Sequence, residues 1–205
     1  MSAVRLIVWR HGQTNWNLQG RWQGQVDIPL NETGIAQAAK AAPLLAEFSP
    51  DQIIASDLSR AKDTAGQLAA LTGLEVQVEP RLREIAMGEW EGLTAEEIGE
   101  QAGEHKALED AGHAPVRGNT GENVHEVADR VAEAFTDIVE AAEDGSTVVV
   151  AMHGLAARVG AFRFVGMPSS ALGWTGPLDN CHWIVLDLDR AGRWRMAAYN
   201  SGRAL

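Results

Sequence analysis

Two apolar runs in this chain end on the same dipeptide. Residues 4–9, "VRLIVW", pass through Arg10 into His11-Gly12, and residues 146–152, "STVVVAM", pass directly into His153-Gly154. Short continuous apolar runs are expected of strands covered on both faces. Such strands need helices above and below them, so the pair of runs points to an α/β protein. A histidine at the end of a buried strand is also held rigidly. It is either a satisfied polar residue that closes the strand or a reactive group that the strand positions.

The rest of the chain supplies the helices. "LNETGIAQAAKAAPLLAEF" carries Ile35, Ala38, Ala39, Ala42 and Leu45 at helical spacing, with Thr33 the expected N-cap and Pro43 expected to kink or end the helix. "DQIIAS" predicts a second short strand. Ser56 or Asp57 is expected to cap a helix through "RAKDTAGQLAAL" that stops before Gly73. "EVQVE" predicts a third strand, ended by Pro80. The stretch 93–121 opens as a short helix, "TAEEIGEQ", then shows weak periodicity and many turn residues, which reads as a lid or insertion. Val124, Val127, Ala128, Val131, Phe135, Ile138, Val139 and Ala142 form one apolar stripe on a long helix, with Thr120 its expected cap. A helix over "LAARVGAFRFVG" follows His153-Gly154, and "HWIVLDLD" and "RWRMAAY" are expected to pair as an antiparallel hairpin across "RAG". Strands alternate with helices to residue 165, so the sheet is expected to be largely parallel. No repeat, linker or low-complexity tract interrupts the chain, and residues 1–205 read as one domain.

With a formal net charge of -11 and no cluster of Lys and Arg, the chain is not built to bind nucleic acid. A single pocket can still be positive on an acidic protein. The lone cysteine, Cys181, leaves no internal disulfide. The N-terminal apolar stretch is too short for a membrane span and lacks a small-residue cleavage site, so no membrane association is expected and the location reads as cytoplasmic.

In open α/β sheets reactive groups gather at the carboxyl ends of strands. "WRHG" and "AMHG" deliver Arg10, His11 and His153 there, "ASDLSR" delivers Arg60 at the start of a helix, and "RLREIAMGEWEG" delivers Glu84. Singly, each has a plain reading: a satisfied histidine, a surface ion pair, one acidic residue among 28. Together, two arginines, two histidines and one carboxylate suit a phosphate site with its own acid–base group. A metal site is the competing reading. His105, His113, His125 and His182 show no ligand spacing, however, and the arginines would repel a cation. No metal and no cofactor is expected.

"RHGQT", "SDLSRAKDTA", "LREIAMGEWEG" and "MHG", in that order, resemble the histidine phosphatase (phosphoglycerate mutase-like) superfamily, and the likeness runs from residue 4 to about residue 200. It implies a three-layer α/β/α sandwich with a mostly parallel central sheet and a C-terminal antiparallel hairpin. It also implies roles. His11 would take the phosphoryl group as phosphohistidine, its other ring nitrogen held by an acceptor such as a backbone carbonyl. Arg10, Arg60 and His153 would hold the phosphoryl oxygens. Glu84 would protonate the leaving oxygen and then deprotonate the attacking water. Asn17, Gln23, Gly24, Gly154 and Leu155 would contact the substrate, a small phosphate ester. His182 departs from the family, which often carries serine there, and reads either as an exposed histidine at a strand start or as a side chain that reaches the mouth of the pocket.

The mutases of the family typically follow the glutamate with a tyrosine-containing segment and carry further insertions. "EIAMGEWEGLT" and the short chain resemble the phosphatase branch instead. The alternatives are a cofactor-dependent phosphoglycerate mutase and a catalytically silent phosphate-binding protein, which would be expected to lack His11 or Glu84. Trp16, Trp22 and Trp90 read as packing residues, with Trp22 also a candidate to line the entrance. Glu122 is a minor candidate for substrate contact. The lid at about 93–121, where family members set substrate choice, shows no clear family match. A homodimer is compatible with the sequence, which does not settle the oligomeric state.

Overall fold

The computed structural model describes residues 3–202, whose strands form one six-stranded sheet in the order β3-β2-β4-β1-β5-β6. In chain order the elements are β1 (Arg5–Arg10), α1 (Asn15–Leu18), α2 (Glu32–Ala46), β2 (Gln52–Ala55), α3 (Ser59–Thr72) and β3 (Val76–Val78). They continue as α4 (Ala95–Ile98), α5 (Glu100–Asp110), α6 (Val124–Ala141), β4 (Thr147–Met152), α7 (Gly154–Phe164), β5 (Trp183–Leu188) and β6 (Trp194–Ser201). β1, β2, β3 and β4 run parallel, and β5 joins β1 antiparallel and leads into the β5–β6 hairpin. Among the described residues no helix is long and apolar enough to cross a membrane.

The central strands are apolar on both faces because both faces are covered. Successive side chains point to opposite sides of a strand. Leu6 and Val8 of β1, with Val148, Val150 and Met152 of β4, join one core beneath α6 and α7. Ile7 and Trp9, with Val149 and Ala151, join the second core beneath α2 and α3. Helix α6 buries Val127, Ala128, Val131, Phe135, Ile138 and Val139 of the predicted stripe and Ala134 besides, while Val124 is only half-buried and Ala142 lies just past its end. Gly160 of α7 lets it approach α6 closely: a Cβ there would lie 2.1 Å from a methyl of Val131.

Several local expectations are corrected. Helix α2 is capped by Asn31, whose side chain accepts the Gly34 amide, and not by Thr33, which lies inside the first turn. Its buried face is Gly34, Ala38, Ala41, Ala42 and Leu45, and Ile35 and Ala39 face outward. Pro43 does not end this helix, which continues to Ala46. A proline removes the bond to the carbonyl four residues back; here that is Ala39, on the exposed side and open to water. Neither Ser56 nor Asp57 caps α3. The N-cap position is Leu58, which makes no side-chain bond, and Asp27 reaches over to accept from the Ser59 amide at 2.8 Å and its hydroxyl at 2.7 Å. Gly73 closes α3 in the left-handed conformation as expected. Helix α6 is capped by Asn123 in a reciprocal box with Glu126, not by Thr120. The lid contains a full helix, α5, where the sequence shows only weak periodicity, because His105 is its one buried residue.

Candidate active site

The carboxyl ends of β1 and β4 lie side by side, with Arg10 opposite Met152 in the ladder and the His11 amide donating to the Met152 carbonyl at 2.9 Å. The histidine that follows each strand is therefore brought beside the other. Their rings meet edge to face, 5.2 Å apart between centroids. A cavity of about 260 Å³ opens above this edge, lined by Arg10, His11, Asn17, Gln23, Arg60 and Glu84 among others.

His11 is buried, and its Nδ1 lies 2.6 Å from the Gly12 carbonyl oxygen. A carbonyl only accepts, so the ring proton sits on Nδ1 and Nε2 keeps its lone pair. Burial, then the cations of Arg60 and Arg10, push the His11 pKa well below the ordinary value, outweighing the Gly12 carbonyl. The imidazole is neutral and nucleophilic. The backbone there is tight, since a Cβ on Gly12 would lie 2.4 Å from the Gly34 carbonyl oxygen.

Arg60 is fully buried. Its Nε donates to His153 Nδ1 at 3.2 Å, Nη1 to the Val26 carbonyl at 2.8 Å and Nη2 to the Gly24 carbonyl at 2.9 Å. Three of its five N–H donors are thus fixed on the protein and two remain for a ligand. Burial lowers its pKa to about 10, against the opposing effect of Glu84 and Asp27, so it stays a cation at neutral pH. Arg10 donates through Nη1 to the Leu178 carbonyl, and its buried Nε has no partner. Gly154 makes room for that guanidinium: a Cβ would stand 3.1 Å from Nε.

Glu84 meets the first turn of α7. Its Oε1 accepts from the Ala156 amide at 2.9 Å and the Ile85 amide at 2.9 Å, and its Oε2 from the Leu155 amide at 3.1 Å. Helix N-termini attract negative groups because their first N–H groups have no intrahelical partner. The residue at the N-cap of α7 is His153, which makes no capping bond, so Glu84 does that work from another segment. A carboxylate offers about four acceptor positions, so one is left on Oε2.

Asn17 and Gln23 line the cavity, tied to each other through Thr14: its amide donates to Asn17 Oδ1 at 3.0 Å and its hydroxyl to Gln23 Oε1 at 2.9 Å. Gly24 and Leu155 line it as well, and Gly154 lies behind Arg10. Two residues stand differently. His153 does not line the cavity. Its Nδ1 accepts from Arg60 and its Nε2 lies 2.9 Å from the Ser56 hydroxyl, so both ring nitrogens face protein groups. His182 is also outside the cavity lining. Its ring packs against Gly202, and its Nδ1 lies 3.3 Å from the Asn180 carbonyl. Glu122 accepts from the Ala86 amide and from Arg130, which makes it part of the scaffold under Glu84.

Trp22, Arg21, Met87, Ile85 and Arg117 complete the lining. Of these only Trp22 was a sequence candidate. Arg117 carries one signal that points to it: it is the only arginine in the acidic stretch 93–121.

Known proteins are similar to this chain in sequence and fold. The pattern of the histidine phosphatase superfamily (branch 1) matches residues 6–202. Glucosyl-3-phosphoglycerate phosphatase of Mycobacterium tuberculosis is 37% identical over 218 residues, covering 98% of this chain and 96% of that one. A structure of mycobacterial glucosyl-3-phosphoglycerate phosphatase with VO3 superposes with a TM-score of 0.87 at 34% identity, covering 97% of this chain and 99% of that one. A probable phosphoglycerate mutase of an Enterobacter species is 36% identical over 176 residues, covering 83% of this chain and 78% of the relative. The fold, the order of the motifs and the near full-length likeness agree, and the chain belongs to branch 1 of the histidine phosphatase superfamily.

Proposed function

We propose that the protein is a metal-independent phosphomonoesterase that works through a phosphohistidine on His11. Its substrates are small phosphorylated metabolites of the sugar phosphate or phosphoglycerate type. The observation that carries this reading is the state of His11: a neutral ring with its proton held on the Gly12 carbonyl, leaving Nε2 free in an arginine-lined cavity.

The residues divide the work as follows. Arg10 and Arg60 offer their remaining N–H groups to the phosphoryl oxygens and oppose the charge that builds up as the ester bond breaks. Nε2 of His11 attacks phosphorus while the ester oxygen leaves, and a proton from Glu84 goes to that oxygen. Water then attacks the phosphohistidine, giving its proton to the Glu84 carboxylate, and phosphate departs. His153 fixes the Arg60 fork from behind and is itself fixed by Ser56. The arginines supply positive charge that a metal ion supplies in other phosphatases. Among the described residues no three His, Cys, Asp or Glu side chains come together as a metal would require. Activity is thus expected to survive exhaustive chelation. A cytoplasmic location fits the free buried thiol of Cys181.

The test is His11→Ala with p-nitrophenyl phosphate. Turnover should fall by several orders of magnitude. Acid-labile, base-stable phosphate should be trapped on the wild type and be absent from the variant. A variant keeping a tenth of wild-type turnover would overturn the assignment. The likeness to a phosphoglycerate mutase makes mutase activity the second reading; it would show as isomerised phosphoglycerate formed without release of phosphate.

A further inference from the structure

The direction of the Arg60 guanidinium is set by a loop. Two of the three acceptors that fix it are the Gly24 and Val26 carbonyls, at 2.9 and 2.8 Å. Both belong to one short segment, so the fork points where that segment stands. Main-chain bonds tie the segment to residues 91–93 only at its start. The Trp22 amide donates to the Leu93 carbonyl at 2.9 Å, and the Gly92 amide to the Trp22 carbonyl at 2.8 Å. Further along, the group that holds it on that side is the carboxylate of Glu91.

Glu91 follows the 3₁₀ turn Gly88–Trp90, and its own amide is anchored on the Gly88 carbonyl at 3.1 Å. Its Oε1 accepts the Gln25 amide at 2.9 Å, with the Met87 amide at 3.4 Å. The carboxylate also occupies the place of a side chain on Gly24. A Cβ there would lie 2.2 Å from Oε1, and Gly24 is left-handed, with φ +53°. Electrostatics act in the same direction. Burial lowers the Arg60 pKa to about 10, and Glu84, Asp27 and, more weakly, Glu91 oppose it. Glu91 does not line the cavity, so it acts there through the loop.

We propose that Glu91 is a positioning residue that, through Gly24 and Val26, aims the Arg60 fork at a bound phosphoryl group. The inference rests on the phosphatase reading above and adds to it what directs Arg60. The loop also touches the acid, since the Gln25 side chain donates to the Glu84 carbonyl at 3.1 Å. The two paths separate by substrate. Arg60 holds the phosphoryl group common to every ester, whereas the acid matters most for poor leaving groups.

The experiment is a double-mutant cycle on the whole protein. Glu91→Ala should lower kcat/KM by about ten- to a hundredfold, the worth of a hydrogen bond to a charged group. The factor should be the same for p-nitrophenyl phosphate and glycerol 3-phosphate. Glu91→Gln keeps an oxygen for the Gln25 amide and should recover part of the loss; it carries the cycle if Glu91→Ala does not fold, which denaturant midpoints show. Arg60→Lys keeps the buried charge but has no fork to span both carbonyls. In that background the Glu91 substitution should cost less than twofold. The same four proteins are titrated with inorganic phosphate to read Kd without turnover, and the same coupling should appear. Equal costs in the two backgrounds, a loss confined to glycerol 3-phosphate, or Glu91→Ala turnover within twofold of wild type would overturn the proposal. A wild type that binds phosphate with this coupling yet hydrolyses neither ester would sink the phosphatase reading alone.

Discussion

Arg130 donates to the backbone carbonyl of Glu84 at 3.0 Å, and so holds the proposed acid–base residue by its main chain. The same guanidinium takes the carbonyls of Arg81 at 2.7 Å and Arg83 at 2.8 Å, and pairs with both oxygens of Glu122. Glu122 in turn accepts the Ala86 amide at 2.9 Å. One side chain from α6 therefore fixes the strand-to-loop path on which Glu84 stands.

Replacing this clamp should cost both stability and chemistry. Arg130→Met removes five hydrogen bonds and leaves the half-buried Glu122 carboxylate without its cation, an expected loss of about 3 kcal/mol. Arg130→Lys restores a charge for Glu122 but lacks a planar fork to span the three carbonyls. Both variants should slow alkyl phosphates more than p-nitrophenyl phosphate, since only the former need an accurately placed acid. Denaturant midpoints and the ratio of the two rates check this. A variant that loses stability while keeping the wild-type ratio would show that the clamp does not position Glu84.

Glu84→Gln tests the acid itself. A sugar or glycerate alkoxide is a strong base and needs a proton as it leaves, whereas a nitrophenolate leaves unaided. The pre-steady-state burst with an alkyl phosphate should slow by about 10²–10⁴-fold more than that with p-nitrophenyl phosphate. Steady-state rates are a poorer measure because Glu84 also serves the hydrolysis step. The amide can keep its oxygen on Ala156 and Ile85 but must turn its NH₂ toward the Leu155 amide, so the fold should survive with one bond lost. Equal slowing of the two bursts would remove Glu84 as the leaving-group acid.

Gly12→Ala should damage the site through the backbone. The new methyl would face the Gly34 carbonyl oxygen at 2.4 Å. Neither side can step aside freely, because the Gly12 amide is donated to Thr64 Oγ1 at 3.1 Å and the Gly34 amide to Asn31 at 2.8 Å. Overpacking of this kind typically costs about 1–3 kcal/mol. The His11 ring leans on the Gly12 carbonyl, so turnover should fall as well. Thermal melts and turnover are the measurements, and a variant matching wild type in both would show that the two segments can part.

The two histidines should make the protein weaken in mild acid. Burial, then Arg60 and Arg10, hold His11 well below the ordinary pKa of 6.5, and burial, then Arg60 and His11, do the same for His153. Below 6.5 the unfolded chain binds protons that the native state refuses, so stability falls as pH drops through that region and is untouched by these groups above it. Each histidine contributes a slope of up to roughly 1.4 kcal/mol per pH unit. Unfolding free energies at successive pH values between 7.5 and 5 (roughly the histidine range) should show this, and His11→Gln should remove about half of the effect. Identical slopes in wild type and variant would contradict the buried neutral state.

The parts of this molecule that rest on local pattern were legible in the sequence. The runs around Ile7 and Val149 read as strands buried on both faces, and the stripe from Val127 to Val139 read as a helix face. The N-cap of α3 was not, because its candidate residues are recruited by distant partners. Ser56 meets His153 and Asp57 pairs with Arg83, so Asp27 serves α3 instead. The motifs place Arg10, His11, Arg60 and Glu84 at one cavity, but they do not show the orientation of His153, which depends on Arg60 approaching from α3. Arg117 and Arg21 stand in segments without periodicity, and only the folded chain shows that both line the cavity.

His11, the proposed nucleophile, sits one residue beyond a rung of the central ladder, and its amide is itself bonded to Met152 of the neighbouring strand. The middle strands of a sheet open only when the whole domain opens. The lid is held by side chains instead: α5 buries His105 alone, which meets the Trp90 ring edge to face at 5.2 Å. Heat should therefore silence the enzyme in one cooperative event rather than by gradual loosening of its centre, and the molecules still folded at any temperature should each retain their full chemical competence.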